Sequence, residues 1–450
     1  MPLDVISGPG FGARSSGLPE RSTRARDIVG GRSLAGEGGR KDGAMTTQPP
    51  RVDLLDPTYK ANPYPTYAEL RSEAPVYRAT LPDGRGVWLV TRYKDVVAVL
   101  KDERFVKDWR KAMTPEQLAQ IPPIPEAMRP LGENMLDKDP PDHERLRRLV
   151  SKAFTPRLIE RMRPRVQEIA DALLDAVEEG GEMDLIDDYA FPLPITVIAE
   201  LLGVPAEDRN KFREWSNAAV SGDTTQEYVE KVLLPHMEAF VGYLRAMFEE
   251  KRKNPKEDLI SALVRAEEAG DKLTEDELLA MVFLLLIAGH ETTVNLIGNG
   301  TLALLQHRGQ LHKLKSDPAL IKPAVEELLR YDGPVETSTE RFAREDIRIG
   351  ATVIPKGEMV MVVIAAADHD PERFPEPDVL DITRPDNKHL AFGKGIHHCL
   401  GAPLARMEGQ IALGTLLRRM PNLRLKGSPE SLTWRPGLVL RGLRSLPVEF

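Results

Sequence analysis

The chain contains one cysteine among its 450 residues, Cys399, which lies in the segment FGKGIHHCLG. The thiolate is the form of cysteine that reacts as a nucleophile and binds metal ions. A free cysteine has a pKa of about 8.5, so a permanent thiolate needs electrostatic help or a metal. Cys399 directly precedes a helical pattern, and the N–H groups at the start of a helix favour a negative charge. The segment therefore predicts a thiolate held close to the start of a helix.

Three interpretations of Cys399 remain open at this level. It is a buried cysteine with a packing role, or a zinc ligand together with His397 and His398, or a thiolate ligand of a haem iron. Three consecutive side chains rarely converge on one tetrahedral ion, which argues against zinc. Only the haem interpretation accounts together for the glycines of the segment, which permit close approach of a flat ligand, for its phenylalanine and for the helix start.

A second polar pattern interrupts the most apolar stretch, LLAMVFLLLIAG at 278–289, which HETTVN follows. The stretch has 12 residues, whereas a membrane span needs roughly 20, so it predicts a buried core helix. Glu291 and Thr292 then lie in apolar surroundings, where polar groups are costly without partners. A helix that emerges into solvent at His290 is the alternative, but the apolar continuation LIGNGTLALL argues against it. An acid beside an alcohol can carry protons in a reaction.

Two charged pairs occur at helical spacing. His143 and Arg147 are four residues apart and share a helix face, as do Glu327 and Arg330 at a spacing of three. An amphipathic basic helix and a solvated surface ion pair are the ordinary explanations of these patterns.

The elements that position these residues are mainly helical. APVYRAT and GVWLVTR alternate as strands do, and GATVIPKGEMVMVVIAA predicts two short strands joined at Lys356–Gly357. Thr155 and Pro156 are typical of a helix start, and this helix is predicted to run to about Glu179. Thr274 and Glu277 form a capping box that predicts the start of another helix. Two further helices are predicted, one over PALIKPAVEELLRY at 318–331 and one near the end of the chain at about 400–420. The predicted fold class is mainly α with small β-sheets.

The composition indicates the cellular compartment, the kinds of partner and the domain organisation to expect. One cysteine cannot form an intramolecular disulfide, which favours a reducing cytoplasm. The net charge of −8 gives no overall attraction to nucleic acid. Residues 1–44 are rich in Gly, Arg and Ser without an apolar run, which predicts disorder, and we interpret them as an extension or the product of an upstream start codon or cloning segment. Residues 45–450 are predicted to form one domain.

FGKGIHHCLG resembles the haem-binding loop of the cytochrome P-450 superfamily, F-G-x-G-x-H-x-C-x-G. The resemblance extends over residues 51–450 and implies that Cys399 binds the iron of haem b and that His397 reaches a propionate. The matching positions are Phe392, Gly393, Gly395, His397, Cys399 and Gly401.

The other motifs acquire roles by the same resemblance. Four side chains are implied to bind the propionates: His143, Arg147, Arg341 and His397. Glu327 and Arg330 are implied to lock the core behind the haem. Ala288 and Gly289 are implied to cross the distal face and leave room for O₂, and Glu291 and Thr292 to relay protons. The haem would lie between this oxygen-binding helix and the helix after the cysteine loop.

The implied function is that of a soluble bacterial monooxygenase that inserts one oxygen atom of O₂ into a large apolar substrate by hydroxylation or epoxidation. A ferredoxin and its reductase are expected as electron donors, and the enzyme is expected to be monomeric, without a membrane anchor. The implied pocket residues, besides Ala288, are Met135, Phe283, Leu284, Val335, Ser338, Leu438 and Val439. A cationic face is expected to receive the donor, with Arg145, Arg148, Lys152, Lys394 and Arg406. A peroxygenase that uses H₂O₂ and a non-enzymatic haem sensor or carrier are the alternatives.

Overall fold

The computed structural model describes residues 57–81, 84–119, 124–220, 225–268 and 273–450. The segment 1–44, predicted to be disordered, lies outside the described residues. Helices dominate the described part of the chain, which confirms the predicted fold class. The α-helices of four or more residues are α1 Pro57–Ala61, α2 Tyr64–Glu73, α3 Tyr93–Lys101, α4 Pro115–Leu118, α5 Asp142–Ala153, α6 Pro156–Asp175, α7 Pro192–Leu202, α8 Arg209–Val220, α9 Leu234–Lys253, α10 Leu259–Glu268, α11 Glu275–Gln306, α12 Arg308–Ser316, α13 Ile321–Tyr331, α14 Ile364–Asp368 and α15 Ala402–Arg419.

The strands are short and form three small sheets. They are β1 Val76–Thr80, β2 Gly86–Val90, β3 Phe105–Val106, β4 Glu182–Asp184, β5 Arg341–Ala343, β6 Ile347–Ile349, β7 Thr352–Ile354, β8 Met359–Val362, β9 Arg424–Leu425 and β10 Pro447–Glu449. The sheets have the strand orders β1-β2-β8-β5-β3, β4-β10-β9 and β6-β7. The two strands predicted around Lys356–Gly357 are β7 and β8, but they belong to different sheets because β7 pairs with β6 while β8 pairs with β2 and β5.

The central element is α11, which spans 32 residues. Both bonds of the predicted capping box are present, with Glu277 N–H donating to Thr274 Oγ1 at 3.2 Å and Thr274 N–H donating to Glu277 Oε2 at 2.8 Å. The helix packs against α7, α13 and α15. It is long and apolar enough to cross a membrane, yet 78% of its most apolar window is buried inside the protein. A helix that is apolar all round is typically buried in a core, so α11 is a core helix against which α7, α13 and α15 pack.

Candidate active site

The cysteine loop has a backbone conformation that favours glycine at two points. Gly393 and Gly395 have φ angles of 67° and 76°, in the left-handed region that side chains disfavour. A Cβ at Gly395 would also lie 2.5 Å from the carbonyl oxygen of Leu100 in α3. The loop closes where Cys399 N–H donates to the carbonyl oxygen of Phe392 at 2.9 Å. The sequence thus folds into a tight turn that ends at the start of α15.

Cys399 is exposed to the cavity that lies between this loop and α11. The enclosed setting raises the pKa of its thiol through desolvation, while the backbone N–H groups of Gly401 and Ala402 act in the opposite direction. These N–H groups are the helix-start donors predicted for a thiolate. Since desolvation outweighs them, a stable thiolate at this position calls for a bound metal cation.

The opposite wall of the cavity is the middle of α11. Ala288, Gly289 and Thr292 line the same cavity as Cys399. A Cβ at Gly289 would lie 3.3 Å from Cδ1 of Ile198 in α7, a close contact that a larger side chain would crowd. The cavity therefore lies between α11 and α15, where the sequence predicted the haem.

Four cationic or hydrogen-bonding side chains meet at one side of the cavity, and they are the four predicted to bind propionates: His143, Arg147, Arg341 and His397. Both ring nitrogens of His143 are buried without a hydrogen-bond partner among the described residues. Arg341 is buried, and burial lowers its pKa to about 10. Burial also lowers the pKa of His397, with Arg341 and Lys107 adding to the effect. No Asp or Glu lines the cavity in the part of the chain that the structure describes. Asp139 lies nearby, and its charge acts against burial by raising the pKa of both His143 and Arg341.

The residues present fit a haem. A ligand with two carboxylates would supply partners for the unpaired His143 nitrogens and for the buried Arg341. Cys399 would hold its iron through the thiolate. A zinc site finds no support, because no group of three or more His, Cys, Asp or Glu side chains suited to a metal ion occurs among the described residues.

The pair Glu327 and Arg330 lies buried on α13. Arg330 Nη2 and Nε donate to the two carboxylate oxygens of Glu327 at 2.8 and 2.9 Å. Arg330 also donates to the carbonyl oxygens of Asp368 and Pro377, and Arg384 pairs with Glu327 at 3.1 Å. The pair is thus not a solvated surface contact, because it ties α13 to the chain between α14 and the cysteine loop.

The predicted acid–alcohol pair is not assembled in the cavity. Thr292 lines the cavity and its hydroxyl donates to the Ala288 carbonyl oxygen at 2.8 Å. Glu291, one residue earlier, is absent from the cavity wall, and Arg435 Nη1 donates to its Oε1 at 2.7 Å. Adjacent helical residues point about 100° apart, and the Glu291 side chain is directed to Arg435 while Thr292 faces the cavity. Arg435 lies far away in the sequence, and no motif marks it.

Two predicted pocket residues are corrected by the structure. Phe283 does not line the cavity but packs on Phe240 of α9, with ring centroids 5.4 Å apart. Leu438 packs against the core cluster beside the first sheet, and the neighbouring Leu440 lines the cavity instead. The other predicted pocket residues line the cavity: Met135, Leu284, Ala288, Val335, Ser338 and Val439.

Comparison with known proteins identifies the family. The model of the family Cytochrome P450 matches residues 225–318 and 318–440. The chain is 50% identical over 416 residues to cytochrome P450 monooxygenase PikC of Streptomyces venezuelae, which covers 91% of this chain and 97% of that protein. It is 47% identical over 404 residues to vitamin D(3) 25-hydroxylase of Pseudonocardia autotrophica, covering 90% and 97%. The crystal structure of the myxobacterial cytochrome P450 CYP267B1 in complex with myristic acid matches with a TM-score of 0.84 and 46% identity, covering 88% of this chain and 98% of that one.

These similarities extend over nearly the whole length of each relative. They show a monooxygenase that binds haem b, receives electrons from redox partners and incorporates oxygen into apolar substrates, and they do not favour a peroxygenase or a haem carrier. The cysteine loop, the cationic rim and the α11 wall are consistent with that chemistry. The chain belongs to the cytochrome P450 family.

Proposed function

We propose that the protein hydroxylates or epoxidises a large, neutral, apolar molecule. The observation that carries the proposal is the chemistry of the cavity wall above the cysteine loop. Apolar side chains from five separate parts of the chain form it: Met135, Ile198, Leu284, Val335 and Val439. The charged groups of the cavity belong to the rim and the cysteine loop, on the side where propionates would neutralise them. A charged substrate group on the apolar wall would be buried without a partner, which costs several kcal/mol.

Similar proteins support a large substrate. One relative is named for the 25-hydroxylation of vitamin D(3), and one similar structure holds myristic acid, so these proteins support the size of the substrate and not its charge. An apolar wall discriminates by size and hydrophobicity more than by identity, because hydrophobic burial has no direction. Long-chain, steroid-like and macrolactone molecules all satisfy that description.

We assign separate roles in haem binding and proton transfer to residues of this chain. We assign iron binding to Cys399 and propionate binding to His143, Arg147, Arg341 and His397. When bound, the haem supplies the activation of O₂, which the thiolate promotes by pushing electron density toward the iron. Thr292 presents its hydroxyl at the cavity wall, and Glu291 holds a proton-carrying carboxylate one residue away. Because Glu291 points elsewhere in this structure, proton transfer to the cavity requires its side chain to turn or a water to intervene.

A ferredoxin and its reductase are the proposed electron donors, and the enzyme is proposed to act as a cytoplasmic monomer whose residues 45–450 form one domain. Two arginines of the expected cationic docking face form ion pairs within the protein. Arg406 is bonded to Glu326 at 2.6 and 2.8 Å and stacks on the Phe392 ring at 4.4 Å, and Arg145 is paired with Glu277. Arg148 and Lys152 are exposed and Lys394 is half-buried, and we assign the electrostatic attraction of an acidic ferredoxin to these three positively charged side chains.

A spin-state titration tests the substrate proposal. Methyl myristate and myristic acid have nearly equal size and differ in charge, so they form a matched pair. We expect the neutral ester to bind more tightly at a pH where the acid is ionised. Tighter binding of the acid, or of short-chain acids over both, would contradict a neutral apolar substrate.

A further inference from the structure

The carboxyl-terminal segment 434–443 folds back on itself beside α11. Trp434 and Leu443 form a bridge, and the Arg435 N–H donates to the carbonyl oxygen of Gly442 at 2.8 Å. Near its turn, Val439 and Leu440 line the cavity. One segment therefore carries both a part of the substrate wall and the guanidinium that holds Glu291.

The buried environment of Glu291 means that its carboxylate depends on the Arg435 guanidinium for a compensating positive charge. Glu291 is 2% exposed, and its Oε2 is buried without a hydrogen-bond partner among the described residues. His290 Nε2 lies 3.7 Å from Oε2 but is hydrogen-bonded to Ser216 at 3.0 Å. Burial lowers the pKa of His290, which favours its neutral form, so it supplies no compensating charge. Arg435 is therefore the cation that compensates the buried Glu291 carboxylate in the described part of the chain.

The two partners are unequally buried. The side chain of Arg435 is 28% exposed, whereas that of Glu291 is 2% exposed. Arg435 can swing into water and keep its solvation, but Glu291 cannot follow it. When the pair opens, the carboxylate must find another partner, take up a proton, or turn toward the Thr292 side of the helix.

We propose that Arg435 is a positioning residue that holds the Glu291 carboxylate away from the cavity and thereby controls its part in proton delivery. The inference rests on the proposed proton-carrying role of Glu291. The competing explanation is that the pair only fastens segment 434–443 to α11. A fastening role predicts a loss of stability when the pair is removed, without a change in proton transfer.

The test uses the haem-loaded full chain and four variants: Glu291→Gln, Arg435→Leu, their double variant, and Arg435→Lys. Arg444→Leu is the matched control, because Arg444 is exposed and directly follows the same segment. The infrared absorption of protonated carboxyl groups is recorded first. We expect Arg435→Leu to gain a band that the wild-type protein and the double variant lack, since a buried carboxylate without its cation takes up a proton.

The second measurement is the solvent deuterium isotope effect on NADPH oxidation, with spinach ferredoxin and its reductase as donors and methyl myristate as the probe in the cavity. We expect Glu291→Gln and Arg435→Leu each to change the isotope effect by about twofold or more. The double variant should have the same isotope effect as Glu291→Gln. Arg435→Lys and Arg444→Leu should have the same isotope effect as the wild type. If Arg435→Leu lacks the infrared band or leaves the isotope effect unchanged while Glu291→Gln alters it, the positioning role is overturned. If Glu291→Gln leaves the isotope effect unchanged, the proposed role of Glu291 itself fails, and the inference falls with it.

Discussion

The imidazole rings of His143 and His397 lie 4.3 Å apart, measured between their centroids. One ring comes from α5 and the other from the cysteine loop, so this contact joins two distant parts of the chain at the edge of the cavity. Neither nitrogen of His143 has a hydrogen-bond partner among the described residues. A buried imidazole whose two nitrogens lack hydrogen-bond partners is unfavourable in itself, and it is explained by a bound group that carries carboxylates.

Removal of a rim cation should weaken haem binding. We expect Arg341→Leu to lower haem affinity about tenfold or more, because a hydrogen bond to a charged group contributes about 1.5–3 kcal/mol. Haem retained per protein chain after gel filtration measures the effect. Arg344→Leu is the control, because Arg344 is three residues away and exposed. Equal haem retention in the two variants would refute the assignment of Arg341 to a propionate.

Removal of the cavity hydroxyl should divert electrons to peroxide. In Thr292→Ala we expect NADPH to be consumed while product formed per NADPH falls severalfold, because the cavity loses a proton donor. The hydroxyl of Thr293 is the internal control, since it bonds the Gly289 carbonyl oxygen at 3.4 Å and Thr293 does not line the cavity. Thr293→Ala should keep its product yield. If Thr292→Ala does so too, the hydroxyl has no part in proton delivery.

Removal of the buried arginine of α13 should destabilise the fold. Arg330→Leu leaves the Glu327 carboxylate, whose side chain is 0% exposed, without its main partner. Breaking such a buried pair costs about 3–5 kcal/mol, so we expect a marked fall in melting temperature and in haem content.

The pair Glu160 and Arg163 provides a control with the same spacing for that experiment. It joins two side chains that are 58% and 46% exposed on α6, and surface pairs contribute little. Arg163→Leu should therefore melt close to the wild type. Similar melting temperatures for Arg330→Leu and Arg163→Leu would show that the α13 pair is not structural.

The two Glu–Arg pairs also show what the sequence can and cannot predict. Both have the E-x-x-R spacing, and only the structure reveals that one is buried and the other exposed. The helix start at Thr274, the strands at Val76–Thr80 and Gly86–Val90 and the tight cysteine loop follow from local rules of capping, alternation and glycine content. Such features depend on neighbours in the chain, which the sequence displays directly.

The directions of individual side chains depend on tertiary neighbours and were predicted less well. Glu291 turns to Arg435, Phe283 turns to α9, and Arg406 turns to Glu326. In each case the partner lies in a different element, and no spacing rule links the two. The sequence indicates which helix carries each of these residues, but it does not indicate which side chain each residue contacts.

The central claim is that the Cys399 thiolate holds the haem iron, and the absorption spectrum of the reduced, CO-treated protein tests it most directly. The wild-type protein should show the red-shifted Soret band that gives the family its name, because thiolate ligation changes the electron density at the iron. Cys399→Ser should bind less haem, and the haem that remains should lack that band. A Cys399→Ser protein that keeps the red-shifted band would contradict the assignment.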